Sequence, residues 1–426
     1  MQVRGLTGQV TRQPHRASFA LPESNQQSDT VRLILQSDHQ TDLDRLRAGF
    51  FNVSASRNRI HAELPIVHGL AVEVATRNMA QLLDEIGQCQ NVRASFDAPV
   101  TIPVIDEPDP AVELDIGVPV TRAPELWQRG LTGKGVNIAV LDTGIAPHTD
   151  VKSRVVAFHD VLHGQTEMYD DNGHGTHVSG IAAGDGTASQ HLFKGAAPEA
   201  GLVGIKVLDE KGEGRFSDII KGVQWAVENK DRLNIKVLNL SLGGTASTPY
   251  ADDPLAQALE AAWQAGLFPV VAAGNEGPFT RTITTPGHAL NVLTVGASDD
   301  RGTADISDDK VGSFSSRGPT RPDGLTKPDI VAPGVRITSA DAFSDGYSTK
   351  SGTSMSTPML AGIAALLLQA NPQATPEQLK SALKDSARHL AQGGEPTVQG
   401  SGLVDAVAAL DRLTQPLVLA GSATPR

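Results

Sequence analysis

Ser354 lies in the run Lys350-Ser351-Gly352-Thr353-Ser354-Met355-Ser356-Thr357-Pro358, directly ahead of the apolar stretch Met359 to Ala370. A hydroxyl between a glycine and a helix start is well placed for nucleophilic attack. Small neighbours admit a substrate carbonyl, and the following helix turns free amide hydrogens and its positive dipole end toward the site. Upstream, Ile138-Ala139-Val140-Leu141-Asp142-Thr143-Gly144-Ile145 reads as an apolar strand that ends on a carboxylate and turns at a glycine. Between them, Asp171-Asn172-Gly173-His174-Gly175-Thr176-His177-Val178-Ser179-Gly180 sets a histidine among glycines at the start of a helix. These three residue types complement one another chemically. A serine hydroxyl is a poor nucleophile until an imidazole takes its proton. Imidazole titrates near neutral pH and can return that proton. A buried carboxylate holds the right tautomer and stabilises the imidazolium. Phe268-Pro269-Val270-Val271-Ala272-Ala273-Gly274-Asn275-Glu276-Gly277 adds a buried strand ending in a turn. There the Asn275 side-chain amide can donate to an oxyanion.

In the order Asp, His, Ser, these blocks resemble the signature runs of the subtilisin-like serine proteases, the subtilases, from about Gly117 to about Leu410. The resemblance implies that Asp142 is the triad acid, His174 the general base and Ser354 the nucleophile, with Asn275 and the Ser354 amide as oxyanion donors. His177 is the rival base; by the family's His-Gly-Thr-His run the first histidine is catalytic, which leaves His177 a packing or hydrogen-bonding role. Ser241, Leu242 and Gly243 correspond to the segment that pairs with an extended peptide and walls the specificity pocket. Ala272, Ala273 and Gly274 form the opposite wall, with Thr284 or Thr285 near its floor. Gly212 and Gly214 bracket the substrate from the other edge, beside Phe216. Main-chain pairing supplies affinity for any extended peptide, and pockets sort its side chains. Walls of Ala and Gly leave room for an apolar residue, so a broad specificity with an apolar preference before the cut bond is expected.

Phe314-Ser315-Ser316-Arg317-Gly318-Pro319 and Lys327-Pro328-Asp329-Ile330-Val331-Ala332-Pro333-Gly334 look most like the leaderless, intracellular-type bacterial members. No cofactor is required for the chemistry; structural calcium is the one ion the resemblance suggests. The run Ala183 to Gln190 departs from the asparagine-rich calcium loop of secreted subtilisins. Asp299-Asp300 and Asp308-Asp309 offer oxygen ligands, although paired aspartates on a loop more often form a solvated face.

These groups need a scaffold. The chain has 426 residues, more than one ordinary domain. Aromatic residues make up only 4%, so Ala, Val, Leu and Ile must fill the core. From Gly117, apolar runs at Val136–Leu141, Leu202–Leu208, Ile235–Leu240, Phe268–Ala272 and Val292–Val295 alternate with helical patterns at Ser217–Glu228 and Pro254–Ala265. This predicts an α/β fold with a mostly parallel central sheet covered by helices on both faces. Asp142 and Asn275 fall at carboxyl ends of strands, where such sheets place ligand sites. Thr375-Pro376-Glu377-Gln378 carries the cap, proline and capping-box partner of a helix predicted to reach Leu390.

Five segments follow. Residues 1–30 read as a polar arm. Residues 31–98 read as strand–helix–strand–strand–helix–strand (a helix over Thr41–Phe51, a second over Thr76–Ile86), a small α+β ferredoxin-like unit. The resemblance makes it a propeptide that assists folding and then inhibits the enzyme. Residues 99–116, with Pro99, Pro103, Pro108 and Pro110, read as an extended linker; self-cleavage is expected between about Phe96 and Glu113. Residues 117–411 are the catalytic domain and 412–426 a loose tail.

A net charge of −12 argues against nucleic acid as a partner. No segment reads as apolar for long enough to span a membrane. The single cysteine, Cys89, excludes an intrachain disulfide and permits a reducing compartment. With no secretory signal visible, a cytoplasmic location is expected, the alternative being a secreted protein whose signal has been removed. The expected partners are polypeptide substrates and the chain's own propeptide. Two functions from different classes fit: an autoprocessed serine endopeptidase, or a catalytically silent peptide-binding module that a fluorophosphonate would not label.

Overall fold

The computed structural model describes residues 29–52, 58–89, 91–102, 105–106 and 117–415. The expected arm at 1–30 lies outside these residues except for its last two positions, and so does the tail beyond residue 415. The chain divides into two compact units, residues 1–97 and 98–426.

The first unit comprises β1 (Thr30–Ser37), α1 (Gln40–Leu46), β2 (Arg59–Leu64), β3 (Gly69–Ala75), α2 (Met79–Gly87) and β4 (Val92–Phe96). The sheet order is β2-β3-β1-β4, all antiparallel. Val31, Leu33 and Leu35 on β1 and Leu70, Val72 and Val74 on β3 face Leu43, Leu46, Phe50, Leu82 and Ile86. This alternation against two helical stripes matches the expected element order. Both helices differ from the predicted spans. The first is α-helical only to Leu46 and closes in a π turn over Arg47–Phe51. The second is preceded by a 3-10 turn over Thr76–Asn78.

The second unit opens with β5 (Pro99–Thr101) and β6 (Ile105–Asp106). There follow α3 (Gly117–Val120), α4 (Ala123–Gln128), β7 (Asn137–Asp142), β8 (Val155–Asp160), α5 (His174–Ala183), β9 (Gly201–Lys206), β10 (Glu213–Arg215) and α6 (Phe216–Asn229). Then come β11 (Ile235–Leu240), α7 (Pro254–Gln264), β12 (Phe268–Ala272), β13 (Leu293–Asp299), β14 (Lys310–Val311), β15 (Ile330–Pro333), β16 (Ile337–Ala340) and β17 (Tyr347–Ser351). The chain closes with α8 (Thr353–Ala370), α9 (Pro376–Asp385), α10 (Pro396–Gln399) and α11 (Ala406–Thr414).

Eight strands form the central sheet, in the order β14-β13-β12-β11-β7-β9-β8 with β15 also on β13. Every pairing is parallel except β13 with β14. Strands such as Val237–Leu240 and Phe268–Ala272 are buried throughout, as a sheet covered on both faces requires. Helices α6 and α7 pack on one another and on β7 and β12. Helices α5 and α8 pack on one another and on β7, and α8 also on β11, β12, β13 and β15, giving a three-layer sandwich.

Helix α8 is long and apolar enough to cross a membrane, with mean hydropathy 1.2, contrary to the sequence reading. It is nevertheless a core helix, 89% buried. It approaches α5 so closely at Gly362 that a Cβ there would collide with the Ala182 carbonyl and Ala196. Small residues, not aromatics, make this contact. Helix α9 has the predicted capping box on Thr375 and Gln378, but it stops at Asp385 instead of Leu390. The cause lies in the next residues: the Arg388 backbone exchanges hydrogen bonds with Leu403 at 2.7 and 2.8 Å, which draws the chain out of the helix. The expected tail begins too early as well, because α11, capped by Asp405, runs to Thr414.

Candidate active site

Each predicted group sits at the end of an element that the sequence specifies. Asp142 closes β7 and His174 opens α5, and both are buried. His174 Nδ1 lies 2.7 Å from Asp142 Oδ1. Asp142 Oδ1 also accepts from the Thr143 amide at 2.7 Å, so the carboxylate is held before the imidazole reaches it. Glycine permits the approach: a Cβ on Gly175 would overlap the Gly144 carbonyl oxygen and crowd Asp142. Gly144 itself has φ +130°, where a Cβ would meet the Tyr169 carbonyl. With Nδ1 committed to the carboxylate, His174 Nε2 has no hydrogen-bond partner among the described residues. It is the nitrogen free to act as a base.

Ser354 lies in the first turn of α8. Pro358, four residues on, has no N–H for the Ser354 carbonyl. Ser241 Oγ donates to that carbonyl instead, at 2.9 Å. In return Ser354 Oγ donates to the Ser241 carbonyl at 3.1 Å. Ser354 is therefore anchored to the segment predicted to bind substrate, with its hydroxyl on the Ser241 carbonyl and not on His174. Asn275 Oδ1 accepts from the Thr353 amide and hydroxyl, both at 2.9 Å. This fixes the amide so that Nδ2 is its donor end.

His177 faces elsewhere. Its Nε2 lies 3.0 Å from the Ser348 carbonyl. Complete burial, assisted by Lys350, pushes its pKa down to about 3. It is a neutral structural histidine, not a base poised near neutrality.

The predicted substrate segments form two rails, and the structure corrects the linker reading between them. Residues 99–101 form a strand, β5, paired antiparallel with β10: Val100 opposite Gly214 and Thr101 opposite Glu213. Thr101 also exchanges hydrogen bonds with Gly243, both at 3.1 Å. Ile102 donates to the Gly212 carbonyl at 3.2 Å, and Phe216 donates to Ala98 at 3.0 Å. Both rails carry unpaired strand edges, and an extended segment with alternate side chains satisfies them. Ile105–Asp106 then pairs with Lys350–Ser351, just ahead of Ser354. Ala272 and Ala273 are buried, and Thr284 Oγ1 donates to the Ala273 carbonyl at 3.2 Å. A Cβ on either Gly243 or Gly274 would strike Thr284, which therefore lies between the two walls.

The calcium candidates are otherwise engaged or scattered. In the 183–190 loop, Asp185 pairs with Arg154 at 2.8 Å. The neighbouring Asp150 accepts from Tyr347 at 2.6 Å and from the Ala188 amide at 2.7 Å. In the other region Asp309 is buried, and neither carboxylate oxygen has a hydrogen-bond partner among the described residues. Burial and the nearby Asp300, Asp308 and Asp299 raise its pKa to about 7, opposed by Arg388. Among the described residues no three His, Cys, Asp or Glu groups converge to hold a metal. Neither region presents a ready calcium site.

Known proteins carry the same framework. The model of the subtilase family matches residues 133–402. The chain belongs to the subtilase family. Serine protease AprX of Bacillus subtilis (strain 168) is 42% identical over 370 residues, covering 82% of this chain and 80% of the relative. Subtilisin Savinase of Lederbergia lenta is 40% identical over 293 residues, 69% of this chain and 97% of the relative. The crystal structure of fervidolysin from Fervidobacterium pennivorans superposes with a TM-score of 0.72 at 23% identity. That match covers 91% of this chain, which spans 61% of fervidolysin. As a subtilase, the protein is a serine endopeptidase acting on polypeptides without a catalytic cofactor.

Sequence reasoning missed part of this subtilase's site. Asp170 accepts from Thr143 Oγ1 at 2.9 Å and from Thr176 Oγ1 at 2.7 Å, joining the acid turn to the base helix. Lys206, wholly buried at the end of β9, is bonded to both loops. A lysine closing an apolar strand is the only signal the sequence offered.

Proposed function

We propose that this endopeptidase works through Asp142, His174 and Ser354 and processes its own N-terminal segment. The observation that carries the reading is the buried 2.7 Å contact from His174 Nδ1 to Asp142, with Nε2 left without a partner. Rotation of the Ser354 side chain away from the Ser241 carbonyl presents its hydroxyl to Nε2. Oγ then attacks the peptide carbonyl as Nε2 takes the proton, and Asp142 stabilises the imidazolium. The oxyanion accepts from Asn275 Nδ2 and the Ser354 amide, and Asn275 is already oriented by Thr353. Collapse breaks the C–N bond, His174 gives its proton to the leaving amine, and water repeats the sequence on the acyl-enzyme. The pocket between Ser241–Leu242–Gly243 and Ala272–Ala273–Gly274 has small apolar walls and a threonine already hydrogen-bonded, which suits an apolar side chain before the cut bond.

Residues 98–102 act as the first occupant of the rails, and residues 31–98 as the propeptide that delivers them. The pairings on either side of residues 103–104 support a cut downstream of Ile102, within the expected range ending at Glu113. Until release, the strand blocks the site. The lone Cys89 suits a reducing compartment, in keeping with a cytoplasmic location, which cell fractionation tests. Structural calcium is typical of the family, and the described residues do not offer its ligands in a converged set.

Ser354→Ala tests the processing step. The variant should stay at full length while the wild type yields a fragment beginning between residues 103 and 113. A mature-sized product from the variant would assign the cut to another protease.

A further inference from the structure

Lys206 is among the largest fully buried side chains in the protein, and it is charged. Burying an ammonium costs several kcal/mol unless its hydrogens find acceptors and its charge a partner. Here the three hydrogens meet three acceptors: the Thr143 carbonyl at 2.6 Å, the Asp171 carboxylate at 2.6 Å and the Leu208 carbonyl at 2.9 Å. The Tyr169 ring, 5.2 Å away, covers the ammonium as well. Each acceptor belongs to a different part of the site. Thr143 immediately follows Asp142. Asp171 lies three residues before His174. Leu208 continues β9, and its amide donates to the Asp142 carbonyl.

We propose that Lys206 is a positioning residue that fixes the catalytic acid and base relative to one another by clamping the Asp142–Thr143 turn and the Asp171–His174 loop onto one buried ammonium. The inference rests on the triad reading above. A second route, with no cation in it, joins the same loops, from Gly175 N to Thr143 Oγ1 at 2.9 Å and from Thr143 Oγ1 to the Asp170 carboxylate. That route supplies hydrogen bonds without net positive charge; Lys206 supplies the cation. The charged groups around the His174–Asp142 pair are Lys206, Asp170 and Asp171, with His177 held neutral and Lys350 beyond it. The ammonium therefore also opposes formation of the imidazolium, balanced by the half-exposed Asp171.

Two variants of the full chain, assayed after self-processing and normalised by fluorophosphonate titration, test the clamp. Lys206→Met keeps the apolar length and removes the cation. Asp171→Asn removes the counter-charge from a partly exposed position and leaves the ammonium in place, and Tm is recorded for both variants to separate folding from positioning. Both should lower kcat, Lys206→Met by about tenfold, with KM within about twofold, as misplacement of catalytic groups does. The acid limb of the pH profile should shift in opposite directions by about 0.3–1 pH unit: upward for Lys206→Met, downward for Asp171→Asn. A lowered Tm with unchanged kcat per titrated site and an unmoved acid limb in both variants would overturn the proposal and leave Lys206 a structural lysine. Should the wild type itself fail to label at Ser354, the triad reading falls first, which separates the two failures.

Discussion

At the scale of single residues, the active site is a set of close approaches that only certain side chains allow. Gly175 is the tightest of them, because its hydrogen faces the Gly144 carbonyl where any Cβ would collide. Gly175→Ala should therefore push α5 away from β7, lengthen the His174–Asp142 contact and cost at least tenfold in kcat. An active-site-titrated kcat equal to wild type would show that the helix can give way. Asn275→Ala should lower turnover by about 10²–10³ with little change in KM, as loss of the corresponding donor does in subtilisin. Steady-state kinetics on a peptide ester and a peptide amide check it. The runs that carry Asp142, His174 and Ser354 stand out in the sequence because each sets a reactive residue among glycines and small residues, and the structure brings the first two to 2.7 Å. The choice of His174 over His177 was legible from motif position alone. The structure adds the physical reason, since burial at Ser348 leaves His177 unable to titrate near neutral pH. Lys206 and Asp170 were not legible, because a lysine at a strand end and an aspartate before Asp171 look like ordinary surface charges until the loops fold over them.

At the scale of elements, apolar periodicity located the parallel strands β7, β9, β11, β12 and β13 and the helices α6 and α7, but not the parallel strands β8 and β15, and ends set by tertiary contacts went astray. Helix α9 is the clearest case: its start is written in Thr375 and Gln378, but its end depends on Leu403. β5 escaped notice because proline-rich segments read as linkers, and its pairing partners lie more than a hundred residues away in β10 and at Gly243. What fastens α9 to the sheet is a buried charge cluster. The Asp329 carboxylate meets Lys327 at 2.6 Å, Lys384 at 3.0 Å and Lys380 at 3.3 Å, and accepts from the Thr294 amide at 2.9 Å. Burial alone would raise its pKa, but the lysines hold it well below the usual carboxylate range. Burial in turn lowers Lys380 to about 7. Asp329→Asn leaves the lysines uncompensated and should destabilise the second unit by about 3–5 kcal/mol, which denaturant unfolding reads. A loss below 1 kcal/mol would mean that the ammonium groups escape to water.

At the scale of the whole molecule, stability and the proposed self-processing turn on different groups. Burial, with Asp300, Asp308 and Asp299 nearby, pushes the Asp309 carboxyl up to about 7, above the roughly 4 of a free aspartate. The folded state thus binds a proton more readily than the unfolded chain between those values, and stability falls as pH rises through that window. Asp309→Asn should raise stability by roughly 1–3 kcal/mol at pH 8, with the gain vanishing toward pH 4. A thermal shift independent of pH would contradict this. The proposed activation turns instead on the segments 98–102 and 105–106, which pair with β10, Gly243 and β17. The two-part organisation was readable from length and element order; that the join between the parts is itself a strand of the catalytic unit was not. The central claim is that His174 activates Ser354 for attack, and covalent labelling addresses it most directly. Peptide mapping after fluorophosphonate treatment should find the adduct on Ser354 in the processed wild type, and labelling should be lost in His174→Ala while persisting in a folded His177→Gln. An adduct on another serine, or undiminished labelling in His174→Ala, would contradict the account.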